Sequence, residues 1–163
     1  MERLWAPWRL EYIVGPQADG CIFCEFPRQD GDEANRILFR GRHTYVIMNA
    51  FPYSNGHLLI PPYRHIDKLT ELTDEESLET MQLAQLSCKA LTELCRPDGL
   101  NLGWNLGTAA GAGIADHIHL HIVPRWSGDT NFMPVLGDVK VIPEAMERTY
   151  AKLKEQFDRL TAE

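Results

Sequence analysis

The 163-residue chain has no apolar run approaching the length of a membrane span, no low-complexity tract and no internal repeat, which argues against a membrane-spanning protein and a solenoid. It is also short of basic charge. Lys and Arg total 16 against 23 Asp and Glu, for a formal net charge of −7, so it lacks the basic footprint that general nucleic-acid or anionic-membrane binding requires. Any phosphate it takes must be held by local geometry. With only 4 cysteines it has no dense disulfide scaffold, and at 44% hydrophobic composition it needs none. One domain of this length buries roughly two-thirds of the surface its unfolded chain exposes. Met1-Glu2-Arg3 leads into tryptophans and a proline rather than a leader's apolar core, so a cytoplasmic location is expected.

What the chain does have is Asp116-His117-Ile118-His119-Leu120-His121-Ile122-Val123-Pro124-Arg125-Trp126, with half of its 6 histidines at every second position. Side chains alternate across a strand, so His117, His119 and His121 share one face while Ile118, Leu120 and Ile122 enter a core. Surface strands more often carry Thr, Lys or Glu, and imidazole acts near neutral pH as nucleophile, acid, base or ligand. A chance polar face and a three-histidine zinc hydrolase site are the competing readings of the row.

Just upstream, Asn105-Leu106-Gly107-Thr108-Ala109-Ala110-Gly111-Ala112-Gly113-Ile114-Ala115 joins two expected strands with small residues. Such a loop lets backbone N–H groups approach an anion closely, which points to a phosphate. Glycines between strands are also ordinary turn residues; the histidine row beside them is what strengthens the phosphate reading.

The remaining pattern describes an α+β domain. Residues 1–35 form an arm, with Trp5, Trp8 and Tyr12 on an extended stretch and a structured turn at Cys21-x-x-Cys24, the spacing of a metal or redox pair. The core spans 36–126. Short strands are expected at 36–40, 44–49 and 57–61. A helix opens at Thr73 with Glu76 as capping-box partner, runs to about Cys95 with Leu78, Met81, Leu86 and Leu94 at mixed helical spacing, and stops at Arg96-Pro97-Asp98-Gly99. Cys88 and Cys95, seven apart on that helix, are read as packing residues. Strands at 100–106 and 116–123 follow. The extension 127–163 ends in a helix from Pro143 to about Leu160, striped by Met146, Tyr150, Leu153, Phe157 and Leu160, to be buried on the sheet or on a second subunit.

His117 to Val123 fits His-x-His-x-His followed by two apolar residues, and here the chain resembles the histidine-triad (HIT) superfamily of nucleotide hydrolases and transferases. Asn49–Ile60 resembles the family's strand-loop-strand with its Gly56-His57 pair. The runs WAPWRLEYI and GAGIADHIHLHIVPRWSGDTNF are most similar to the bacterial diadenosine tetraphosphate phosphorylase branch. The resemblance implies a single HIT domain, an antiparallel sheet of about five strands with two main helices, and a homodimer. It also implies a nucleotide or dinucleoside polyphosphate substrate and a second step taken by inorganic phosphate.

Carried over residue by residue, the resemblance makes His119 the nucleophile at the α-phosphorus, and His117, His121 and His57 its catalytic supports. Asn49 would meet the ribose, and Asn105, Gly107, Gly111, Ala112 and Gly113 would lie by the phosphates. Arg125 is read for phosphate oxygens and Trp126 for a base. Cys21, Cys24, His65 and His117 stand where zinc-carrying members hold a structural zinc; no organic cofactor is expected. Gly111-Ala112-Gly113-Ile114 departs from the Gly-Gln-Ser/Thr stretch of the phosphoramidase and dinucleoside-triphosphate hydrolase branches, and His121 departs from transferases that carry Gln there. A hydrolase, a phosphoramidase, or a nucleotide-binding module with little turnover remain as alternatives.

Overall fold

The structure is a computed structural model and describes residues 20–129 and 144–162. The aromatic arm read at Trp5, Trp8 and Tyr12 lies outside these residues, as does the expected helix start at Pro143. Five strands, β1 (Ile37–Arg40), β2 (Tyr45–Met48), β3 (Leu58–Ile60), β4 (Gly99–Trp104) and β5 (Leu120–Arg125), form one sheet in the order β1-β2-β3-β5-β4. Every neighbouring pair is antiparallel. The helices are α1 (Ile22–Glu25), α2 (Asp32–Asn35), α3 (Asp74–Cys95) and α4 (Met146–Thr161), the last two being the long ones. The expected fold class is therefore the observed one.

Alternation in the strands gives the sheet two covered faces. On one, Val46, Met48, Leu58, Ile60, Leu120 and Ile122 meet Leu83, Ala84, Ala90 and Leu91 of α3 and Tyr150, Leu153 and Phe157 of α4. The terminal stripe is thus buried within the chain. On the other face Ile37, Tyr45, Ile47 and Leu59 close around Phe23 of α1, and the histidines open on this side.

α3 begins where the capping box places it: Thr73 Oγ1 accepts from the Glu76 backbone N–H at 3.2 Å, and the Glu76 carboxylate accepts from Thr73 N–H at 2.9 Å. The same carboxylate takes a two-pronged bond from Arg64. The helix closes on Arg96 in the left-handed conformation, its N–H returned to Thr92. Its buried face differs from the expected stripe. Leu78 and Met81 are exposed, and small residues, Ala84, Ser87 and Ala90, occupy the inward positions so that the helix can approach the sheet closely. Cys88 and Cys95 sit half-buried against this core with free thiols.

β5 starts later than the alternation suggests. His117 and His119 precede it, and the strand continues through Pro124 to Arg125. The segment before Leu120 is held by other bonds: Ile118 N–H donates to Ile66 O at 2.7 Å, and the two imidazoles bond to backbone carbonyls.

Candidate active site and metal centre

Backbone contacts fix the proton on each triad ring, because a carbonyl only accepts and an amide N–H only donates. His119 Nδ1 lies 2.8 Å from the carbonyl of His117, so Nδ1 carries the proton and Nε2 is left with a bare lone pair. Burial lowers the His119 pKa below its ordinary 6.5, favouring the neutral ring that a nucleophile needs.

His121 is fixed from the other direction. The Tyr53 backbone N–H donates to His57 Nδ1 at 3.0 Å, and the Asn49 amide nitrogen reaches the same atom at 3.2 Å. That places the His57 proton on Nε2, which lies 3.0 Å from His121 Nδ1. His121 Nδ1 must then accept, and its Nε2 carries the proton. This Nε2 is buried without a protein partner among the described residues, a donor that a ligand oxygen would satisfy. Burial, and then the neighbouring His119, push the His121 pKa down to about 4. The His119 and His121 ring centroids are 4.7 Å apart, and Tyr53 stacks on His121 at 5.7 Å and 8°.

His117 faces away from this pair. Its Nε2 donates to Pro62 O at 2.9 Å, leaving Nδ1 as a bare donor atom for a metal. Around that atom stand Cys21 Sγ at 3.2 Å, His65 Nδ1 at 3.3 Å and Cys24 Sγ at 3.5 Å, with Cys24 Sγ 3.4 Å from His65 Nδ1. All four donor atoms lie within 4.8 Å of one another. A tetrahedral zinc with ordinary Zn–S and Zn–N bonds sets its ligand atoms about 3.3–3.8 Å apart, so the donor set fits in both chemistry and size. Burial, and then Cys21, raise the Cys24 thiol pKa; a divalent cation reverses that order and holds both sulfurs as thiolates. The four residues read as metal ligands are thus brought together.

The HIT domain profile matches residues 31–128. The chain belongs to the HIT family. It is 39% identical over 168 aligned residues to the AP-4-A phosphorylase of Mycobacterium tuberculosis, covering 98% of this chain and 86% of that protein. It is 30% identical to Protein hit of Bacillus subtilis, over 71% of this chain and 77% of that one. Among solved structures, a Zn-bound histidine triad family protein from Mycobacterium smegmatis superposes with a TM-score of 0.70 at 27% identity, covering 88% of this chain and 96% of the other.

Within this HIT domain the other expected residues are placed unequally. Asn49, read for the ribose, uses both ends of its amide, donating to His57 and accepting from Phe51 N–H at 2.9 Å. Asn105 reaches the Tyr53 hydroxyl at 3.4 Å and so ties the glycine-rich loop to the His121 side of the site. The loop turns with Gly107 and Gly111 at φ +79° and +89°, in open space. The N–H groups of Ala110, Gly111 and Ala112 bond back to Gly107 and Thr108, which leaves a phosphate cradle to the loop's other donors. Arg125 and Trp126 are carried off by β5, since six residues of extended chain span roughly 20 Å from His119. The Arg125 fork grips Asp129 and also reaches Asn101, and Trp126 N–H donates to Asp129.

Sequence reasoning passed over Phe23 and Tyr53. Phe23 packs on the rings of both His117 and His119. The signal for Phe23 was present, an aromatic residue between the two cysteines; Tyr53 sat unremarked in the loop before Gly56-His57.

Proposed function

We propose that this HIT protein is a dinucleoside tetraphosphate phosphorylase working through a nucleotidyl-histidine. The observation that carries the reading is the His119 bond to the His117 carbonyl, which puts the proton on Nδ1 and leaves Nε2 the bare atom of a neutral ring. In the first step Nε2 forms a P–N bond at the α-phosphorus while the P–O bond to the leaving polyphosphate breaks, giving ATP when the substrate is diadenosine tetraphosphate. His121 Nε2–H donates a hydrogen bond to the departing oxygen. A neutral donor suffices, because a polyphosphate leaves as a stable anion. In the second step an oxygen of inorganic phosphate attacks phosphorus, the P–N bond breaks and ADP is released. Asn105 and the Gly107–Gly113 backbone would meet that phosphate, and Asn49 holds His57 in register.

Similarity to the M. tuberculosis AP-4-A phosphorylase over almost the whole chain supports phosphate as the second nucleophile. Product analysis decides it. Phosphorolysis of diadenosine tetraphosphate yields ADP and ATP, whereas AMP and ATP dominating at saturating phosphate would make the protein a hydrolase with the same histidine roles.

The Cys21, Cys24, His65 and His117 set would hold a structural zinc, supported by its donor spacing and by the Zn-bound M. smegmatis relative. When bound, the metal supplies a closed tetrahedral clasp. We further infer a homodimer. β4 is an edge strand with Leu102 exposed on it and Leu106 exposed just beyond its end, a surface that pairing with a second copy would cover. Sedimentation at micromolar concentration tests this, and a monomer would overturn it. Free thiols at all four cysteines, and the lack among the described residues of a helix long and apolar enough to cross a membrane, are compatible with a reducing cytoplasmic setting.

A further inference from the structure

The four-donor cluster and the nucleophile meet at Phe23. It lies in α1 between the two cysteines, 1% exposed, with its ring centroid 4.8 Å from that of His119 at 44° and 5.3 Å from that of His117 at 63°. Its turn is fastened at three points. Cys21 Sγ and Cys24 Sγ reach the His117 and His65 nitrogens, and the Phe23 carbonyl accepts from the buried Tyr45 hydroxyl at 2.8 Å. Cys24 and Glu25 N–H groups both return to the Cys21 carbonyl, so the turn moves as a unit.

Among the described residues His119 makes one hydrogen bond, from Nδ1 to the carbonyl of His117 in its own segment. A single bond fixes one ring atom and leaves the plane free to swing about it. A half-turn of the ring would exchange Nδ1 for a carbon and carry Nε2 off the line of attack. The Phe23 ring, its centroid 4.8 Å from that of His119 and tilted 44° to it, crowds the space such a turn needs. Attack requires the reacting atoms to be aligned at close range, where a misplacement of about 1 Å can cost on the order of a hundredfold in rate.

We propose that Phe23 is a positioning residue that couples the Cys21-Cys24-His65-His117 clasp to the nucleophile, holding the His119 ring in the orientation that keeps Nδ1 on the His117 carbonyl and Nε2 toward the substrate. This rests on the reading of His119 as nucleophile. The clasp holds the turn, the turn holds Phe23, and Phe23 holds the ring. Metal occupancy is thereby transmitted to a site at which the metal performs no chemistry.

The test uses the full-length zinc-reconstituted protein with Phe23→Leu and Phe23→Ala. Zinc content should stay near the wild-type value and KM for the dinucleotide should change little, while kcat falls about tenfold in the leucine variant and up to about a hundredfold in the alanine variant. Nitrogen-15 NMR of the histidine rings supplies a readout independent of turnover. Wild-type His119 should show a single tautomer protonated at Nδ1, and both variants a mixture. Chelating the metal from wild type should reproduce that mixture, and chelation of Phe23→Leu should add little to it.

If Phe23→Leu keeps wild-type kcat and a single His119 tautomer while only its Tm drops, Phe23 is a core residue and the proposal fails. If the alanine variant does not fold, the wild-type chelation experiment still decides: a His119 signal indifferent to metal overturns the coupling. His119→Ala separates the two levels. Turnover surviving in that variant defeats the catalytic reading itself, whereas an inactive His119→Ala beside an unaffected Phe23→Leu defeats only the coupling.

Discussion

His57 and His121 share one proton on a 3.0 Å line between Nε2 of the first and Nδ1 of the second, and the backbone N–H of Tyr53 on the far side of His57 decides which ring owns it. The direction of the whole chain follows. His57 cannot accept at Nε2 while Nδ1 is already accepting as a neutral ring, so His121 is held as a donor toward the substrate side. Replacing His57 with Ala removes the lock and the imidazole acceptor of the Tyr53 N–H. We expect kcat/KM for dinucleotide to fall about a hundredfold, with the defect much smaller for a nucleotide ester bearing a better leaving group such as 2,4-dinitrophenolate. An equal loss on both substrates would place His57 outside the leaving-group step.

His119→Ala should abolish turnover, by on the order of 10⁴-fold or more, since the covalent route has no substitute. Nucleotide binding measured by calorimetry should change little. Wild-type protein quenched in acid-free denaturant after mixing with labelled dinucleotide should carry acid-labile label, and the variant none. Label retained in His119→Ala would move the nucleophile to another residue.

The parts of this site that were legible in the sequence are those encoded by local periodicity. Alternation of His with Ile and Leu separated the reactive face from the core, and Thr73 with Glu76 marked the start of α3 to the residue. Resemblance, rather than spacing, united Cys21 and Cys24 with His65 and His117, because ligands 41 and 96 positions apart leave no local trace. The burial of α3 was hidden for a different reason. Its inward face mixes Leu83 and Leu91 with the small Ala84, Ser87 and Ala90, so the large apolar residues Leu78 and Met81 drew attention to the face that is exposed. Arg125 and Trp126 follow the triad closely in sequence, but along a strand that advances more than 3 Å per residue nearness in sequence is not nearness in space. Phe23 reads as a plain core residue until its contacts with two histidine rings are seen.

Elemental analysis of the purified protein should find about one zinc per chain. Cys21→Ser should lose it, while Cys88→Ser, a half-buried thiol packed on α3's core side, should keep it. A ligand present at 100 to 1,000 times its dissociation constant stabilises the folded state by about 3–4 kcal/mol. For a domain of this size that corresponds to a Tm lower by roughly 6–16 °C in the metal-free variant. Metal-free wild-type protein with an unchanged Tm would remove the clasp from the account.

The last expectation concerns acid. Burial lowers the His119 pKa and, with help from His119, takes His121 from 6.5 to about 4. The unfolded chain keeps the ordinary value, so between pH 6.5 and about 4 it binds more protons than the folded chain does. Stability is therefore full above pH 6.5 and declines as pH falls through that window, because protonation draws the equilibrium toward the unfolded state. Activity should follow the same rings. At saturating phosphate, kcat/KM for the dinucleotide reports the first step, in which His119 must be neutral. The internal phosphates of the substrate are already ionised across this range, so the acid limb of the profile belongs to the enzyme. It should lie below pH 6.5, the ordinary histidine value. His121→Asn should leave that limb in place while lowering the plateau, since His121 acts as a neutral donor that an amide N–H partly replaces. A limb at or above pH 6.5 would mean that water reaches the His119 ring, contrary to the enclosure that Phe23 and the sheet provide.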